Sequence, residues 1–255
     1  MGFLHEGHLS LVKKSKELCD VTIVSIFVNP TQFAPSEDLE NYPRDIERDN
    51  KLLIAEDVDF IFIPDANQIY TENFQTYVNV EQITEILEGQ FRPKHFRGVT
   101  TIVNILFNCV KPDYAFFGKK DAQQTAVIKR MVEDLKLRIN LIICPIVREP
   151  DGLAMSSRNI YLSTDERKDA LVLYQSLQLA KKLVKEGERK SDIIIAEMFS
   201  IINSVSSSNI DYIKIVEAKF FKVVDELEKG KEYYVLIACK IGSTRLIDNE
   251  FIRIK

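Results

Sequence analysis

The sequence predicts an α/β protein, a doubly wound parallel sheet followed by a smaller α+β domain. Three observations carry this. Nearly continuous apolar runs at residues 21–28, 58–63 and 141–147 read as strands buried on both faces. Helical periodicity lies between them, clearest in Val99, Ile102, Val103, Leu106, Phe107 and Val110, one helix face pressed on a sheet. After Val147 the pattern breaks at a polar loop, residues 148–157, holding Pro150, Asp151 and Gly152, which sets expected domains of 1–147 and 148–255.

Taken in order, residues 9–18 form a helix of mixed polarity and 21–28 the first strand. Residues 45–55 follow as a helix with Ile46, Leu52 and Leu53 inward, then a second strand at 58–63, stopped by Pro64. Beyond the helix around Val99 come a short strand at 114–117, a helix at 122–135 with Val127, Met131 and Leu135 on related faces, and the strand 141–147. Strands alternating with helices imply parallel pairing. In the C-terminal part Ser163 caps one long helix, 164–185. A second helix spans 193–205, and strands at 212–217, 233–240 and 251–254 are separated in part by the polar turn 228–232.

Composition narrows the function. Of 255 residues 45% are hydrophobic and 28% charged, with nine Gly and eight Pro, which excludes collagenous and disordered classes. A net charge of -4 lacks the basic excess that binding a nucleic-acid backbone requires. No apolar run approaches the roughly 18 residues of a membrane span. The first residues are charged and carry no apolar signal core, so a cytoplasmic location is expected. Cys19, Cys109, Cys144 and Cys239 are widely separated and read as reduced core thiols rather than zinc ligands.

Four short segments carry chemistry. His5-Glu6-Gly7-His8 opens a helix, where free N–H groups, the dipole and two imidazoles suit a phosphate; two surface histidines are the bland alternative. Met155-Ser156-Ser157-Arg158 follows the last sheet strand, where open α/β sheets bind ligands, and hydroxyls beside a guanidinium grip phosphate oxygens. Alone, such a triplet is usually just loop. Phe117-Gly118-Lys119-Lys120-Asp121 joins a strand to a helix: Gly118 permits close approach, one Lys reaches a phosphate, and Asp121 caps the helix. Gln123 and Gln124, with the Asn29-Pro30-Thr31-Gln32-Phe33 turn, offer amides that read a hydroxyl or carboxylate.

Together these segments resemble the pantothenate synthetases, or pantoate beta-alanine ligases, of the His-x-Gly-His nucleotidyltransferase group. The resemblance runs end to end, through MGFLHEGHLSLV (1–12), VSIFVNPTQF (24–33), EDLENYPRD (37–45), EGQFRPKHFRGVTTIV (88–103), PDYAFFGKKDAQQ (112–124), DGLAMSSRNIYLS (151–163) and RLIDN (245–249). It implies a Rossmann-like nucleotide- and pantoate-binding domain and a C-terminal lid domain. ATP is implied to lie against Met1, Gly2, Phe3, Leu4, His5, Glu6, Gly7, His8, Gly118, Lys119, Lys120, Asp121, Val147, Met155, Ser156, Ser157 and Arg158. His8 is implied to donate a proton to the departing pyrophosphate, with His5, Lys120 and Arg158 as further catalytic groups; Gln32 and Gln124 bind pantoate, and Gln32 borders beta-alanine. Lys94 stands where many relatives have Gly, and His95 is a candidate for the rim of the site.

The implied reaction is ATP-dependent ligation through a pantoyl adenylate, releasing pyrophosphate and then AMP. Mg²⁺ is expected on the nucleotide phosphates and no dedicated metal site in the protein; the expected assembly is a homodimer. Competing readings are an adenylyltransferase for another small acid or a nucleotide, a non-catalytic interaction protein that kept the fold, and a tRNA-synthetase fragment, the last disfavoured by the acidic balance. In the family a strand and helix precede the His-x-Gly-His turn, so the natural reading frame is expected to extend upstream of Met1 by roughly 25 to 35 residues, the size of such a unit.

Overall fold

The computed structural model describes residues 2–34 and 39–255. Met1, and with it the Met1 assignment, lies outside the described residues, as do residues 35–38. The chain divides into two compact units, Met1–Lys119 with Gln123–Val147, and Lys120–Ala122 with Arg148–Lys255.

In the first unit His5 caps α1 (Glu6–Leu18), and strand β1 (Ile23–Ser25) follows. Asp45 caps α2 (Ile46–Ala55) by accepting the Arg48 N–H at 2.9 Å, and β2 (Phe60–Phe62) pairs parallel with β1, Ile23 opposite Phe60. Next come short helices α3 (Ala66–Ile69) and α4 (Glu88–Phe91), then α5 (His95–Val110), β3 (Tyr114–Gly118), α6 (Ala122–Asp134) and β4 (Asn140–Cys144). β3 and β4 are also parallel. The inward faces form two cores, Leu4, Leu9, Val12, Val24 and Leu53 in one and Phe96, Val99, Ile128 and Met131 in the other. Each such side chain contributes about 1.5–3 kcal/mol.

Several sequence expectations need correction here. The runs 21–28, 58–63 and 141–147 contain only the short strands β1, β2 and β4. Val21 and Ile63 are exposed beyond the ends of β1 and β2, and Ile23 and Phe60, paired in register, share a face left exposed while Val24 on the other face is buried. On α2, Ile46 is exposed while Asp49, one turn on, is buried. Leu135 is exposed because α6 ends at Asp134. Cys109, on the outer face of α5, is exposed rather than a core thiol.

The second unit places residues 157–161 in a 3-10 turn before α7 (Thr164–Asp169), α8 (Leu171–Lys185) and α9 (Ser191–Ile202). An antiparallel sheet follows, β5 (Ser208–Glu217), β6 (Glu232–Ile241) and β7 (Thr244–Arg253), in that spatial order. The strands are longer than the sequence suggested, and RLIDN falls inside β7. Ser163 caps the first turn of α7 as expected, in a capping box with Glu166, but the single helix expected at 164–185 breaks at the buried Ala170. There the Leu173 N–H turns to the Ala170 carbonyl, three residues back, and Asp169 accepts the Ser207 hydroxyl at 2.6 Å. On β6 the alternating Tyr233, Val235, Ile237, Cys239 and Ile241 are fully buried in one core with α8 and α9. Burial pushes the Cys239 thiol up to about 11. Among the described residues no helix is long and apolar enough to cross a membrane.

Candidate active site

The first turn of α1 is built by its own histidines. His5 is extended, its Nδ1 accepts the Gly7 N–H at 3.1 Å, and its own N–H donates to His8 Nδ1 at 3.3 Å. With both Nδ1 atoms accepting, each neutral ring carries its proton on Nε2. The rings lie 4.0 Å apart, centroid to centroid. Phe3 is left-handed, with φ of 48°. The N–H groups of Phe3 and Leu4 both donate to the Asp49 carboxylate, at 2.8 and 2.7 Å, so α2 holds the backbone that enters the turn. Sequence reasoning missed Asp49. Its signal was an acidic residue between Ile46 and Leu53, four positions before a fully buried leucine.

Gln32 ends a 3-10 turn capped by Asn29, whose amide donates to the Gly98 carbonyl at 3.0 Å and to Gln32 Oε1 at 3.4 Å. Tyr70 donates to Asn29 Oδ1 at 2.8 Å, and burial pushes its phenol up. A Cβ at Gly98 would collide with the Thr31 carbonyl, so the close approach of α5 to this turn requires glycine. His95 is buried, with Nδ1 2.8 Å from the Gln32 carbonyl, which places it behind the Gln32 turn. Lys94 stands at φ of 69°, left-handed, which is why glycine suits this position.

The two adjacent glutamines of α6 separate. Gln123 is buried and fully used: its amide donates to the Ile83 and Ile86 carbonyls at 2.7 and 2.8 Å, and its oxygen accepts the Glu88 N–H at 3.0 Å. Among the described residues the Gln124 amide takes no hydrogen-bond partner. At Gly118 an added Cβ would meet nothing within 4 Å, so internal packing does not demand glycine there.

In the second unit Lys120 lines a small cavity with Ala154, Ser156, Asn159, Leu246 and Asp248. Lys120 Nζ lies 3.9 Å from Asp121 Oδ1. Ser156 Oγ accepts the Arg158 N–H at 3.3 Å at the head of the 3-10 turn, where Ser157 is buried and Arg158 half-buried. The loop leading here is anchored by Arg148, which forks onto the buried Asp248 at 2.6 and 2.9 Å and stacks on Tyr174 at 4.6 Å. Burial raises the Asp248 carboxyl, and the Arg148 guanidinium offsets only part of that rise. Gly152 is left-handed, at φ of 103°, and a side chain there would strike the Tyr174 ring. Thus Lys120 and Ser156 are brought together, as are His5 and His8, while Gln123 is withdrawn into packing. Among the described residues no cluster of three or more His, Cys, Asp or Glu side chains could hold a metal ion.

The sequence and the overall fold recur in known proteins. A family model described as pantoate-beta-alanine ligase matches residues 1–251. A pantothenate synthetase of Acetivibrio thermocellus is 54% identical over 254 residues, 100% of this chain and 90% of that one. One from Pseudothermotoga lettingae is 52% identical over 252 residues, 99% of this chain and 89% of the relative. The crystal structure of pantothenate synthetase from Thermus thermophilus superposes with a TM-score of 0.94 at 41% identity, covering 98% of this chain and 90% of that chain. A pantoate-beta-alanine ligase from Francisella tularensis, complexed with beta-gamma ATP and beta-alanine, gives 0.80 at 35% identity, over 98% of this chain and 86% of that one. With an intact His5–His8 turn, a match from end to end and the same α/β fold, the chain belongs to the pantoate-beta-alanine ligase family.

Proposed function

We propose that this chain joins pantoate to beta-alanine at the expense of ATP, through a pantoyl adenylate. The observation that carries the reading is the family match over residues 1–251 with the histidine turn built as a donor site. Pantoate's carboxylate is already ionised at neutral pH, as groups with pKa near ~4 are, so the first step needs no base. A carboxylate oxygen bonds to the α-phosphorus of ATP and the bond to pyrophosphate breaks. The barrier is alignment and charge repulsion, and preorganised donors lower it. His5 and His8, each with its proton on Nε2, are donors of this kind, and His8 passes its proton to the departing pyrophosphate. Lys120 and Arg158 stabilise phosphate charge, beside Ser156 and Ser157. Gly2 to Gly7, Gly118, Lys119, Asp121, Val147 and Met155 border the nucleotide, and Mg²⁺ enters on its phosphates as part of the substrate.

In the second step beta-alanine's neutral amine attacks the pantoyl carbonyl carbon. The amide C–N bond forms, the bond to AMP breaks, and the proton that the amine gives up passes to solvent. Gln32 and Gln124 hold pantoate; the unclaimed amide of Gln124 supports this assignment over Gln123. The four free cysteines and the use of ATP support a cytoplasmic setting. The homodimer is carried over from the family resemblance. The test is pyrophosphate exchange. With ATP, Mg²⁺ and pantoate but no beta-alanine, labelled pyrophosphate should enter ATP, and adding beta-alanine should release AMP rather than ADP. A folded protein that shows no exchange sinks the adenylate route.

A further inference from the structure

Of the segments that carry the resemblance, RLIDN has no part in the reaction as described so far, yet two of its residues are buried polar groups. Asp248 and Asn249 sit on β7, 3% and 1% exposed. A buried polar side chain is costly unless its bonds are satisfied, so what each one holds indicates its use. Asn249 Nδ2 donates to the backbone carbonyl of Lys120 at 2.8 Å, across 129 positions of sequence. Asp248 Oδ1 accepts the Asn249 N–H at 2.7 Å while its carboxylate receives the Arg148 fork. Arg148 closes the ring by donating to the Asn249 carbonyl at 3.3 Å and the Gly152 carbonyl at 3.0 Å.

We infer that Asn249 is a positioning residue for Lys120, held in place by the Asp248–Arg148 pair. The lysine lies in a 3-10 turn of three residues between β3 and α6, too short to fix its own backbone by a helical ladder. The Asn249 amide fixes that carbonyl from outside, and with it the direction in which the Lys120 side chain leaves. Because Arg148 bonds both Asn249 and Gly152, the same network sets the loop that ends in Ser156, which lines one cavity with Lys120 and Asp248. One buried unit therefore aligns an ammonium and a hydroxyl toward a shared anion, the phosphates of the nucleotide. This rests on the proposed function, in which Lys120 meets phosphate.

The experiment is a double-mutant cycle read by pyrophosphate exchange. Asn249→Asp keeps the shape and removes the donor; Asn249→Ser keeps a donor that is too short. Each should lower the exchange rate roughly 10- to 100-fold, the effect of misplacing a catalytic group by about 1 Å, with the KM for pantoate unchanged. In the Lys120→Ala background the same changes should cost little more, because a group that acts through Lys120 has nothing left to position. Multiplied losses, an unchanged rate, or variants that no longer fold each assign Asn249 to general packing and overturn the inference. Wild-type protein without exchange overturns the proposed function itself, and so separates the two failures.

Discussion

Asp49 accepts the backbone N–H of Leu4 at 2.7 Å across 45 positions of sequence, with both residues buried. The same carboxylate holds Phe3, so the entry to the histidine turn hangs on a side chain of a different helix.

Asp49→Ala leaves both N–H groups without their acceptor. At about 1–3 kcal/mol per stranded group, the two groups together should cost about 2–6 kcal/mol in urea unfolding, and the exchange rate should fall with the displaced turn. Asp49→Asn keeps one acceptor oxygen and should lose less. An Ala variant with the wild-type unfolding midpoint contradicts this role.

His8→Ala and Lys120→Ala should each lower kcat about 10²–10³-fold while KM for ATP changes little, since their donors matter most as phosphate charge redistributes. Steady-state kinetics decides it. Wild-type turnover with only a raised KM would return both residues to simple binding.

Lys94 sits at φ of 69°, where an L side chain costs about 1–2 kcal/mol and glycine is free of that strain. After the extra backbone entropy of glycine, Lys94→Gly should stabilise by roughly 0.5–1 kcal/mol. For a chain of this size that raises Tm by about 1–4 °C. A lower Tm in calorimetry refutes the strain argument.

The Asp151 carboxyl is held below its usual 3.8 chiefly by the Arg167 guanidinium, which donates to it at 3.0 and 2.8 Å. The folded state thus prefers the ionised form. This contribution is present above the unfolded pKa of about 4 and is lost as pH falls through the lowered folded value. In an NMR titration Asp151 should move back toward 3.8 in Arg167→Gln. A titration that does not shift shows that Arg167 is not the cause.

What sequence could reveal depended on range. The spacing of Val99, Ile102, Val103 and Phe107 records one face of α5, because helix periodicity is a property of neighbours. Ser163 with Glu166 and Asp45 before Ile46 likewise declare their helix starts locally. The histidine turn was legible for the same reason, since His5, Gly7 and His8 bond one another within four residues. Apolar runs were less informative: the stretch 21–28 names a strand but not the face each residue meets, and only the pairing of Ile23 with Phe60 left those two outside.

By itself, then, the sequence determined the α/β class, the alternation of the main helices and strands as far as β4, and the family to which the chain belongs. Tertiary structure alone decided that Asp49 grips the backbone before His5, that Gln123 is spent on the Ile83 and Ile86 carbonyls, and that Asn249 reaches Lys120. Each of these joins residues 35 or more positions apart. Side-chain type limits what a group can bond, but its partner is whichever buried N–H or carbonyl the chain delivers to it, and that delivery is settled only when the whole core packs.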